Sequence, residues 1–328
     1  MPPKISTHLT HHPNTPLILD GALATYLESL GANISDSLWS ASILLTQSSL
    51  IHRTHLDYFR SGANIAITAS YQASIPGLTQ HLNLSEHAAK DIVKKSAHLA
   101  QSARADYLQE RKSQDSKDDE AAPSSKLFVA GSIGPYGAYL ANGSEYRGDY
   151  SLTLEAMKSF HRGRMQALVD AGVDILACET MPSKAEVEAL LELLVIEFPG
   201  TEAWFTFTLR DGEHIADGTC LSDIAGLFED VEQVVGLGFN CVPDDLAIAA
   251  LRKLRPLTEK RLVVYPNSGE SWNAAAREWE GSRTEGSNLA HKTLEWWDAG
   301  ARMVGGCCRT TPGDVQTMCE ALKDLKRG

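Results

Sequence analysis

The chain reads as a single (β/α)8 barrel, an α/β fold, and three features of the sequence carry that reading. Eight short apolar runs recur through the 328 residues, and a stretch of helical character follows each one. The runs are continuous rather than alternating, as expected of parallel strands buried on both faces. No G-x-G-x-x-G opens the first strand-to-helix turn, which argues against a doubly wound dinucleotide fold. A hydrophobic content of 43% can fill one large core, and barrels of this kind commonly run to about 250 residues or more as one domain.

Residues 1–16, MPPKISTHLTHHPNTP, lack the apolar core of a signal peptide. They are expected to be a flexible, solvated tail that carries His8, His11 and His12. What the chain does rests with residues 17–328, the barrel domain. Its first strand, 17–22, ends on Asp20-Gly21. An amphipathic segment at 47–60 precedes a second strand at 64–70. A helical pattern then fills 85–112, where Ile92, Val93, Ala97, Ala100 and Ala103 share one face. Residues 112–126, KSQDSKDDEAAPSSK, read as a charged surface insertion, because the strand–helix alternation resumes on both sides.

The third strand, 127–132, leads into a long loop with four tyrosines, GPYGAYLANGSEYRGDY. Loops of this length tend to be lids or binding loops. A helix at 152–171 and a fourth strand at 174–179 follow. Ser183 and Glu186 have capping-box spacing and open a helix to about residue 198. Strands at 203–209, 234–241, 262–265 and 301–304 complete the eight. Helices are expected at 221–233, 244–254, 288–299 and 315–326.

Barrel active sites lie at the carboxyl ends of the strands. The residues there are Asp20, Thr68, Glu179, Cys241, Asn267, and Cys307 with Cys308. The two adjacent cysteines sit between a strand end and a helix start that Thr311 and Asp314 can cap, beside the positive end of a helix dipole that favours thiolate. Cys241 supplies a third sulfur. Three thiolates suit Zn²⁺ and leave its fourth tetrahedral position open for substrate. Such a centre carries net negative charge, which suits activation of a thiol for attack on an electrophilic methyl group better than hydrolysis. Cys178, Cys220 and Cys319 read as ordinary cysteines.

Asp20 and Glu179 can bind the ammonium of an amino-acid substrate, or serve as strand-end acids bonded to backbone. Trp39, Tyr71, Tyr136 and Tyr139 offer either π faces to a sulfonium donor or packing. The net charge of −12 argues against nucleic acid or an anionic membrane as partner. No window approaches the roughly 18 uninterrupted apolar residues of a membrane span. Six unevenly placed cysteines do not resemble a secreted disulfide framework. The expectation is a cytoplasmic protein with reduced thiols.

At these residues the chain resembles the homocysteine S-methyltransferase family. The matching segments are 19–25, LDGALAT; 68–74, TASYQAS; 131–137, GSIGPYG; 178–182, CETMP; Gly238-Phe239-Asn240-Cys241; and Gly305-Gly306-Cys307-Cys308-Arg309-Thr310. The resemblance implies a (β/α)8 barrel with zinc ligands Cys241, Cys307 and Cys308. It also implies contacts to homocysteine from Asp20, Glu179 and Thr68, with Gln72 and Asn240 in the substrate pocket and Asp20 and Glu179 as the catalytic acids. The implied reaction is methyl transfer to homocysteine, giving methionine.

Methionine synthases need folate and cobalamin domains for which this length leaves no room, and betaine-dependent members carry a C-terminal extension used in assembly. The chain is therefore expected to act as a monomer on small molecules. Gln72 and Thr180 stand where betaine-dependent relatives have tyrosines, which points to S-methylmethionine or S-adenosylmethionine as donor. Selenocysteine is an alternative acceptor. Two rival readings are a metal-assisted aldolase or hydrolase, which would want histidine or carboxylate ligands, and a non-catalytic zinc- or thiol-binding barrel.

Overall fold

A computed structural model of the chain describes residues 4–34, 39–114, 126–273 and 278–323. Eight parallel strands form the barrel wall: β1 (Leu17–Ile18), β2 (Ile65–Ile67), β3 (Phe128–Ile133), β4 (Ile175–Met181), β5 (Ala203–Phe207), β6 (Val234–Asn240), β7 (Arg261–Tyr265) and β8 (Ala301–Val304). Their order around the sheet is β1-β8-β7-β6-β5-β4-β3-β2. A bridge between Leu19 and Ile65 closes the ring. There the Asp20 N–H donates to the Ile65 carbonyl at 3.0 Å. Each strand sits where a continuous apolar run lies in the sequence, and helices follow it on the outside.

Side chains alternate between the two faces of the wall. Leu17, Ile65, Phe128, Ile175, Val263 and Met303 pack together inside. Ile18, Leu176, Phe205, Leu237, Leu262 and Val304 face outward, into the core shared with the helices. On β6 the interior position is Gly238, where a Cβ would fall 1.7 Å from the Val263 carbonyl oxygen. Only glycine fits, and that close approach fixes the strand that leads into Cys241.

The amino terminus differs from the expected solvated tail. Ile5–His11 is a helix, with Ile5 0% and Leu9 5% exposed. These two residues are four apart, hence on one face, and they cover the apolar interior at the amino end of the barrel. The Ser6 N–H and hydroxyl donate to the Glu202 carboxylate, and Arg261 donates to the Leu9 carbonyl at 3.3 Å. The tail had looked polar because only one short face of it is apolar.

Helix Glu86–Gln114 carries the expected apolar face, while most of the charged insertion, residues 115–125, lies outside the described residues. Helix Leu221–Gly226 is shorter than expected. The Tyr-rich loop is folded, with a helix at Tyr136–Leu140 and a 3-10 turn at Ser144–Tyr146. The Ser183/Glu186 capping box does not form. Glu186 instead accepts from the Tyr136 N–H, from the Tyr150 hydroxyl and from His161 at 2.7 Å; Glu186 and His161 are fully buried, and the three bonds anchor the loop.

Candidate active site

Three sulfurs meet at the carboxyl end of the barrel. Those of Cys241, Cys307 and Cys308 all lie within 4.8 Å of one another. Cys241 directly follows β6 in a left-handed conformation, φ 52°. Cys307 and Cys308 follow β8 across Gly305 and Gly306, whose N–H groups donate to Val264 and Asp20 carbonyls at 3.0 and 3.1 Å. A Cβ at Gly306 would lie 2.3 Å from Thr310 Oγ1, so the second glycine lets the loop fold against its own helix start. Thr311 and Asp314 form the expected capping box there.

Cys241 and Cys307 are joined as a disulfide, whereas Cys308 is free. Reduced thiols had been expected at all three positions. The pairing shows how close the two strand ends bring these side chains, and metal binding by all three requires its reduction. Sulfur-only donors at this spacing, with no fourth protein ligand in the cluster among the described residues, fit a tetrahedral metal with one open position. Burial pushes the Cys308 thiol up to about 11, a backbone N–H opposes the shift, and Glu145 adds to the rise.

The acids converge from the other side. Asp20 is 4% exposed, and its Oδ2 accepts from the Ile67 N–H at 2.8 Å. Burial holds its carboxyl well above the usual range, with the Glu179 charge adding to the shift. Glu179 accepts from the Ser132 hydroxyl. Burial pushes Glu179 up to about 7, against the opposing effects of Ser132, Tyr265 and Arg164. Two buried carboxyls with raised affinity for a proton and no cation bonded to either make a receptor for an ammonium group.

Thr68 uses its proton on Ser70 at 2.8 Å and accepts from the Ser132 N–H at 2.9 Å, so it holds β2 to β3 beside the acids. Gln72 has a buried side-chain oxygen with no partner, as a binding residue awaiting a ligand would. Asn240, expected in the substrate pocket, bonds within the protein to Thr180. Its Oδ1 accepts from the Thr180 N–H at 2.7 Å and its Nδ2 donates to Thr180 Oγ1 at 2.8 Å. Both ends of the amide thereby support Thr180 at φ 63°, a conformation that is costly for a β-branched residue. Tyr136 and Tyr139 pack against Phe160, with ring centroids 5.0 and 5.5 Å away, and so take the packing role. The side chain of Trp39 lies outside the described residues.

The family model described as homocysteine S-methyltransferase matches residues 17–322. The chain belongs to the homocysteine S-methyltransferase family. A homocysteine S-methyltransferase from Escherichia coli is 50% identical over 92% of this chain and 94% of its own length. A selenocysteine methyltransferase from Astragalus bisulcatus is 38% identical over 98% of this chain and 97% of its own. Crystal structures of the Escherichia coli homocysteine methyltransferase MmuM are similar to this one. The oxidized form has a TM-score of 0.82 at 49% identity, covering 94% of this chain and 96% of that one. The metallated form has a TM-score of 0.81 at 49% identity, covering 92% and 95%.

Several residues of this family member went unnoticed in the sequence. Arg164, 1% exposed, donates to the Tyr71 carbonyl at 2.7 Å and to the Gly134 carbonyl at 2.5 Å, and so joins the loops after β2 and β3. It lies mid-helix, where nothing in the spacing distinguishes it from a surface arginine. Ser132 and Tyr265 are inward-facing strand residues around Glu179, and alternation along β3 and β7 could have found them. Glu145 was passed over as one more polar residue in a polar loop.

Proposed function

We propose that the protein transfers a methyl group from a sulfonium donor, S-methylmethionine or S-adenosylmethionine, to the thiol of L-homocysteine, forming methionine. The observation that carries this reading is the meeting of three sulfurs from two strand ends with two buried, cation-free carboxyls at one barrel mouth. Zinc held by reduced Cys241, Cys307 and Cys308 would lower the pKa of the homocysteine thiol in its open position and keep it as thiolate. Asp20 and Glu179 accept hydrogen bonds from the α-ammonium, and Glu179 gives up its proton as that charge arrives. Ser132 and Tyr265 hold Glu179 in place. Thr68 and Gln72 shape the pocket, while Asn240 keeps the Thr180 turn that follows Glu179. The folded loop over the mouth keeps water from a reaction that needs none.

In the chemical step the thiolate sulfur forms a bond to the methyl carbon as the donor's sulfur–carbon bond breaks. The electron pair stays on the donor sulfur, which leaves as a neutral thioether. Gln72 and Thr180 support a sulfonium over betaine, because they replace the two tyrosines of betaine-dependent relatives. The likeness to a selenocysteine methyltransferase supports selenocysteine as a second acceptor at the same site. Reduced thiols suit the cytoplasm, and the whole site sits in one chain, so the reading needs only a monomer. Among the described residues, no helix is long and apolar enough to cross a membrane.

The test supplies reduced, zinc-loaded protein with homocysteine and one donor at a time. Methionine should form with a sulfonium donor and not with betaine. No methionine from either sulfonium donor would overturn the reading.

A further inference from the structure

Glu145 stands in the 3-10 turn of the loop that follows β3, and its Oε2 is buried without a hydrogen-bond partner among the described residues. The turn that carries it is fixed. The Thr208 hydroxyl, just past β5, donates to the Glu145 carbonyl at 2.9 Å. A Cβ at Gly137 would lie 2.5 Å from the Glu145 nitrogen, so the turn packs directly on helix Tyr136–Leu140. The nearby guanidinium does not pair with it. Arg147 donates instead to Asp149 at 2.7 Å, to the Asn142 carbonyl at 3.2 Å and to Ser144 Oγ at 3.3 Å.

Glu145 acts electrostatically on both Cys308 and Tyr71. It therefore lies within electrostatic range of the sulfur cluster, in the loop that leaves the carboxyl end of β3 and is tied to the residue just past β5. Beside Tyr71, the side-chain oxygen of Gln72 is likewise buried and unpartnered. Burial pushes the Glu145 carboxyl up, against the opposing effects of its own backbone N–H and the Arg147 charge. Leaving such an acceptor unpaired is unfavourable by at least as much as a hydrogen bond contributes. A bound cation would satisfy it.

We propose that Glu145 recognises the methyl donor, by pairing with the positive charge that distinguishes a sulfonium amino acid from its thioether product. This rests on the sulfonium-dependent reaction proposed above. The role has a kinetic signature. The donor's charge is full in the ground state, falls as the methyl moves and is gone in the product. Attraction to Glu145 therefore strengthens donor binding without favouring the transition state, and weakens on turnover so that the thioether can leave. Glu145 is then a donor-specificity residue, separate from the acids Asp20 and Glu179 that face the acceptor.

The experiment compares Glu145→Gln with wild type as reduced, zinc-loaded full chains, varying S-methylmethionine and homocysteine in turn. The amide keeps the size of the side chain and leaves the Thr208 bond to the backbone intact. Donor KM should rise about tenfold, as for loss of a charge-assisted contact. Homocysteine KM should stay within about twofold, kcat should not fall, and bound zinc should not change. Wild-type turnover with an unchanged donor KM in the variant would overturn this inference and leave the underlying reading intact. So would a rise confined to homocysteine KM. Absence of turnover in wild type with either sulfonium donor would overturn both.

Discussion

At the amino end of the barrel, Leu17, Ile65, Phe128 and Ile175 fill the interior and helix Ile5–His11 closes over them. At the carboxyl end the same strands present Asp20, Ser132 and Glu179, and a folded loop with Glu145 takes the place of the plug. The first end satisfies its polar groups: Glu202 receives two bonds from Ser6. The second does not. Unpartnered oxygens of Gln72, Glu145 and Asn267 all follow strand carboxyl ends. Thr180, in the last two residues of β4, and Cys241 and Arg309, beyond β6 and β8, are non-glycine residues held at positive φ. One end of the strands supplies stability, and the other holds strain and unmet hydrogen-bonding capacity where a ligand can relieve them.

That division is most open to challenge at Glu179. Its folded pKa of about 7 lies above the ordinary 4.5, so the native state binds this proton more tightly than the unfolded chain. The associated stability is complete below about pH 4.5 and is lost as pH rises through about 7, a difference on the order of 3 kcal/mol. Glu179→Gln should therefore raise the stability of the ligand-free protein at pH 8, by up to that amount in urea unfolding, and flatten its pH dependence. The same variant should raise homocysteine KM by about 10- to 100-fold. A variant less stable than wild type at pH 8 would show that Glu179 serves the fold rather than the site.

The plugged end should respond in stability and hardly at all in catalysis. Ile5→Ala removes a fully buried side chain and should destabilise the protein by about 2–5 kcal/mol. Both substrate KM values should stay within about twofold. Altered KM values at unchanged stability would mean that the two ends are not separable in this way.

The sequence was most legible where one kind of pattern had one meaning. Continuous apolar runs located all eight strands, and the chemistry at their ends located the three sulfurs and both acids. Thr311 with Asp314 made the capping box that its spacing predicted. Ser183 with Glu186 had the same spacing and did not, because His161, Tyr150 and the Tyr136 N–H draw Glu186 inward from elements remote in sequence. Ile5 and Leu9 were illegible for a related reason: two apolar residues among polar ones acquire meaning only when a barrel end needs covering. Asn240 was placed correctly at a strand end, yet its amide turns to Thr180, which no local pattern reveals. Glu145 needed the folded loop before its lack of a partner could be seen.

The claim beneath all of these is that Cys241, Cys307 and Cys308 together form a metal centre when reduced. Zinc bound per chain, measured after complete reduction for wild type and for Cys308→Ser, tests it most directly, because Cys308 is the one sulfur of the three that the disulfide leaves free. The account predicts one equivalent in reduced wild type, lost when the Cys241–Cys307 disulfide re-forms, and strongly weakened binding in the variant. Reduced wild type that takes up no zinc, or a Cys308→Ser protein that holds it as tightly as wild type, would contradict it.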